Sequence, residues 1–194
     1  MTAYYIIDPS EPIDQGDIFR DIYFAAIDSH TTAVVITPTC DFVQEKAHFV
    51  KLVSVVPLDM VVKIIADSVG IEEKVISSGE QITRRKYDKF TRMLEKNING
   101  SFLTRYYFIS EFVGIFPHSY VDLQQVFVIP SIQLYSDYRD NRIAKLKSPW
   151  REQIVAQYSG YSMRVGVPEY SEQEIRSIAI AAGLNIPAVN DKLI

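Results

Sequence analysis

The sequence predicts an α+β protein: an antiparallel sheet, strongly curved or closed into an SH3-like barrel, with a helical insertion and a helical C-terminus. Three observations support this. Runs of β-branched and aromatic residues, broken by Gly and Pro, fill residues 13–58 and 103–147. Residues 59–100 between them change to helical spacing. The links between the first three strand-like runs are too short to hold a crossover helix, so neighbouring strands should run antiparallel. All 194 residues are read as one domain, with 148–194 supplying the C-terminal helices.

The elements follow in chain order. "PIDQGDIF" places Gly16 and Asp17 in a turn, and "IFRDIYFAAI" has the composition of a strand. "SHTT" reads as a turn or short hairpin loop. "AVVIT" is almost continuously apolar, as expected of a strand buried on both faces. Pro38 cannot donate to a sheet ladder and so ends it, leaving Thr39, Cys40 and Asp41 just beyond. "HFVKLVSVVPL" is a third strand, ended by Pro57.

"LDMVVKIIADS" suits a short helix. In "SSGEQITRRKYDKFTRMLEKNING", Ser77 and Glu80 have capping-box spacing and Asn99-Gly100 is a stop signal. Ile82, Phe90, Met93 and Leu94 form its apolar stripe. Strand character returns in "RYYFIS" and "QQVFVIPSIQLY", where Pro130 implies an edge or a bulge. Ser148 and Pro149 suit the N-cap and first position of the helix in "SPWREQIVAQYSGYSM". "SEQEIRSIAIAAGLNIP" predicts a last helix, with Ser171 and Glu174 as capping box and Gly183 as terminator.

Composition narrows the function classes. Apolar residues make up 47% of the chain and charged residues 23%, the balance of an ordinary folded protein. One cysteine cannot form an internal disulfide, and the first residues lack the n- and h-regions of a signal peptide. No apolar run reaches the roughly 20 residues needed to span a bilayer. A cytoplasmic protein with no membrane contact is expected. The net charge is −4, yet residues 84–105 hold seven Lys/Arg against two Asp/Glu. This is either a solvated helix face or a local positive field on an acidic protein.

The glycines give neither a GxGxxG nor a Walker A pattern, and the three histidines share no HExxH spacing, so no cofactor and no metal is predicted. A lone cysteine is first expected to be buried as a small hydrophobe. Cys40, Asp41 and His48 would form a catalytic or metal-ligating trio only if the strands they flank are neighbours. Asp17, Asp41 and Asp122 each lie in apolar surroundings and need a partner if buried. Arg151 and Arg164 are the candidate cations, making Asp17, Asp122, Arg151 and Arg164 one polar cluster. Arg84, Arg85, Lys86, Lys89, Arg92 and Arg105, interleaved with Tyr87 and Phe90, could meet phosphates while rings stack on unpaired bases.

The succession "QGDIF", strand, "AVVITPTCDF", "HFVKLVSVVPL" over residues 13–58 resembles the GDI…PxLVIS…vivaPiT order of MazF/PemK-like toxins. That resemblance implies an SH3-like barrel, cleavage of single-stranded RNA without a metal, and a protein antitoxin as partner. Thr32 stands where that family has a basic residue, and "PLDM" replaces its Thr-Ser, so the fold carries over better than the ribonuclease chemistry. "SYVDLQQVF" and "SPWREQIVAQYSGYSMRVGVP" resemble segments of bacterial proteins with a Ser/Thr-x-Cys-Asp element, which implies no activity. The functional expectation is a bacterial binding module, in a toxin–antitoxin or phage-defence setting, for single-stranded RNA or DNA or for a protein partner. The rival expectations are a degenerate endoribonuclease or Cys-dependent hydrolase, and a structural protein that forms homodimers.

Overall fold

A computed structural model describes residues 3–8, 10–44, 46–99 and 105–163. Its strands are β1 (Tyr4–Tyr5), β2 (Asp17–Phe24), β3 (Ser29–Val35), β4 (Phe49–Pro57), β5 (Tyr106–Ile109), β6 (Ser119–Pro130) and β7 (Arg142–Leu146). The helices are α1 (Thr39–Val43), α2 (Leu58–Ser68), α3 (Glu73–Ser78), α4 (Arg84–Ile98), α5 (Ser131–Asp137) and α6 (Trp150–Ser162). The strands form one antiparallel sheet in the order β1-β7-β2-β3-β4-β6-β5. The fold is therefore α+β, and the sheet does not close: β1 and β5 are its edges.

The apolar run of β3 is buried on both faces because successive side chains point to opposite sides of a strand. Val34 and Ile36 join one core with Ile18, Val53, Val121, Leu146 and the α6 residue Ile154. Ala33 and Val35 join a second core with Phe19, Ile22, Leu52, Ile129 and the α5 residue Leu134. A third core, under α2 and α4, gathers Val56, Val61, Ile65, Tyr106 and Tyr120.

Several sequence expectations need correction. Ser29 to Thr32 belong to β3, and the hairpin turn lies one step earlier, where Asp28 has a φ of +46°. The capping box at Ser77 and Glu80 does not form. Ser77 lies inside α3 with its hydroxyl donating to the Glu73 carbonyl, Gly79 ends that helix at a φ of +71°, and α4 starts after Thr83. Pro130 pairs with Phe49 of β4 while β5 reaches only Ser119–Asp122 of β6, so it lies on a locally open edge as expected; it is the last residue of β6 and precedes α5, so "SIQLY" is helical and not strand. Pro149 follows a cis peptide bond and α6 begins at Trp150. The helix predicted over 171–183 lies outside the described residues.

The middle of the chain behaves as its periodicity requires. Phe90, Met93 and Leu94 of α4 pack on the third core, and Ile82 packs with Ala66, Val69 and Ile71. No residue of α4 is fully buried, so one side of a 15-residue helix faces water.

Candidate functional site

Three segments far apart in sequence meet at one end of the sheet: the Asp14–Asp17 turn, α1, and the start of α6. The Gln15 side chain ties them together, its Oε1 accepting from the Thr39 N–H at 3.4 Å and its Nε2 donating to the Arg151 carbonyl at 3.1 Å. Gly16 is required there. Its φ is +86°, and a Cβ on it would lie 2.8 Å from the Cβ of Arg151. Gly16→Ala is thus expected to cost at least about 1–2 kcal/mol from the backbone alone, read as a lower midpoint in urea denaturation.

Charges at this junction are paired with one another. The Arg142 guanidinium donates to Asp17 Oδ1 at 2.9 Å and to the Glu11 carbonyl at 2.9 Å. Both side chains are buried, Asp17 completely. Burial pushes the Asp17 carboxyl up to about 6, opposed by the Arg142 charge and by the Asp14 N–H that donates to it. Beside this pair, Lys145 donates to Asp14 at 2.8 Å, and Arg151 lies 3.5 Å from the same oxygen. Burial raises the Asp14 carboxyl, but hydrogen bonds from Lys145, Thr39 and the Gln15 N–H outweigh it and hold the group below its ordinary value.

The predicted polar residues are therefore distributed differently from the single cluster expected. Asp17 takes Arg142, Arg151 takes Glu152 at 2.6 Å with Asp14 further off, and Asp122 takes Arg105. Arg164 lies outside the described residues. The sequence reading missed Arg142, Lys145 and Asp14. In "RIAKL" Arg142, Ala144 and Leu146 are buried in turn, but the residue types do not alternate with that burial, so the sequence carried little signal for Arg142 and Lys145.

Cys40 is exposed, on the one-turn helix α1, and not packed under the turn as a lone cysteine first suggests. Pro38 ends the strand so close to the surface that α1 has no buried residue. The Cys40 thiol lies 3.7 Å from Asp41 Oδ1. His48 makes no hydrogen bond to either among the described residues. Its carbonyl instead accepts from the Ser131 N–H at 3.0 Å. Among the described residues no group of three or more His, Cys, Asp and Glu could hold a metal ion.

The basic segment has a different geometry. Arg85, Lys89, Arg92 and Lys96 recur at i, i+4, i+7 and i+11, which places them on one face of α4 over about 16 Å of helix. They line a surface groove of about 540 Å³ together with Arg84, Asp88 and Met93. Arg84 pairs with Asp88 at 3.0 Å, and Tyr87 is half exposed with the Arg84 guanidinium 5.8 Å from its ring. Lys86 turns off this face and donates to the Gly70 carbonyl. Arg105, grouped with these cations in the sequence, is held by Asp122 in a two-pronged ion pair.

Compared with known proteins, the chain matches no family model and no curated sequence. Among the described residues, no helix is long and apolar enough to cross a membrane.

Proposed function

We propose that this protein is a binding module whose α4 face holds the phosphates of single-stranded RNA or DNA. The observation that carries the reading is the stripe of Arg85, Lys89, Arg92 and Lys96 along a groove, on a helix whose opposite side is committed to the core. The ion pairs at the junction supply no such field, because cations and carboxylates there neutralise one another. A phosphate chain releases counterions when it meets such a stripe, and the half-exposed Tyr87 offers a ring on which an unpaired base can stack. The order of β2, β3 and β4 keeps a MazF/PemK-like, SH3-like core and a toxin–antitoxin or phage-defence setting within this proposal.

The test is binding of labelled single-stranded RNA and DNA across a salt series. Affinity should fall steeply with salt, and replacing Arg85, Lys89 and Arg92 by Ala should flatten the slope of log K against log salt by about 2. A wild-type protein that shows no salt-dependent binding would sink the reading.

The exposure of Cys40 beside Asp41 favours a second reading, a Cys-dependent hydrolase or ribonuclease centred on α1. Alkylation of Cys40 at neutral pH much faster than that of a free peptide thiol supports it, and an ordinary rate removes it.

A further inference from the structure

A cavity of about 260 Å³ opens where the Asp14–Asp17 turn meets α1, between Ile13, Phe42 and Tyr135, with Asp14, Thr39 and Lys145 at its polar end. It lies on the β7 side of the sheet, whereas α4 packs against β5, the far edge strand. The cavity thus stands apart from the basic stripe, and its ligand is independent of any nucleic acid bound there.

We infer that this cavity binds an uncharged nitrogen heterocycle of nucleobase or nucleoside size. Size is the first argument. The volume falls below the roughly 300–1,000 Å³ that accommodates drug-sized ligands. Wall chemistry is the second, because two aromatic rings and the Ile13 side chain supply apolar contact for a flat molecule. Charge is the third. Lys145 is the one cation of the lining and is already bonded to Asp14 at 2.8 Å, so an anion would compete with Asp14 for Lys145 and a cation with Lys145 for Asp14. A neutral ring with both donors and acceptors can instead add to the Asp14 oxygens, the Thr39 hydroxyl and the Lys145 ammonium without displacing any of them. Beside this cavity a second one of about 180 Å³ shares Ile13 and Tyr135 and has Arg142 in its lining.

The experiment is titration calorimetry of the full chain with adenosine, guanosine, cytidine and uridine separately, and with adenosine monophosphate and benzoate as charged probes. One or more nucleosides should bind saturably, more tightly than either charged probe. Thr39→Val, which keeps the side-chain shape, and Tyr135→Leu, which removes a partly exposed ring, should each weaken that binding by about tenfold. Thermal melting without ligand checks that both variants fold, and if Tyr135→Leu does not, Thr39→Val decides alone. Absence of saturable binding by all four nucleosides overturns the inference. So does tighter binding of either charged probe, or an affinity that the folded variants leave unchanged.

Discussion

Arg142→Met should destabilise the protein by about 3–5 kcal/mol at pH 8, the largest single effect expected in this molecule. The substitution leaves Asp17 fully buried with its countercharge removed, and also strips the Glu11 carbonyl of a donor. The loss should shrink toward pH 5, because Asp17 can then take up a proton. The sign follows from the wild-type group. Its folded value of about 6 lies above the ordinary value of 3.8, so the native state holds that proton more tightly than the unfolded chain does. The contribution from this group is greatest below about pH 4, declines as pH rises through 6, and is flat above; its span is about 3 kcal/mol. Urea unfolding of wild type and Asp17→Asn at pH 4.5 and 7.5 isolates it. The wild-type curve should carry this decline and the Asn variant should lack it. Equal pH dependence in the two proteins would show that Asp17 does not titrate in this way.

Arg105→Met should cost about 2–3 kcal/mol while leaving the salt dependence of nucleic-acid binding unchanged. Asp122 is fully buried in β6 and accepts from Arg105 Nε at 2.6 Å and from the Gln124 N–H at 3.1 Å. Removing the guanidinium leaves that carboxylate with one backbone donor. Arg105 is about one-third exposed, so water can partly replace it, and the loss should be smaller than at Arg142. Denaturant midpoints and the salt slope, measured on the same preparation, separate the two roles. A flattened slope with undiminished stability would place Arg105 among the cations that bind phosphate.

These two arginines show where sequence reading stops. The need was legible at Asp17 and Asp122, since an acid inside an otherwise apolar segment requires a partner if it is buried. The partners were not. Arg142 lies 125 positions from Asp17 and enters through β7, a strand whose five residues give little periodic signal. Arg105 lies 17 positions from Asp122 and was grouped with the basic helix by proximity in the chain. At Cys40 residue type misled, because the expected burial depended on how much chain continues past Pro38 before the next element. Only a single helical turn does, and it lies on the surface.

By itself the sequence determined what local physics controls. β3 is apolar on both faces, so it had to be a central strand; Pro38 and Pro57 had to end ladders; and α4 had to turn Phe90, Met93 and Leu94 inward and its cations outward. Those outcomes depend on backbone donors and side-chain period, which act within a few residues. Tertiary structure alone decided which cation meets which carboxylate, that the Asp14–Asp17 turn, α1 and α6 share one end of the sheet, and that a cavity remains between that turn, α1 and the α5 residue Tyr135. Charge pairing carries no sequence period, so only the sheet order could bring those groups within hydrogen-bonding distance.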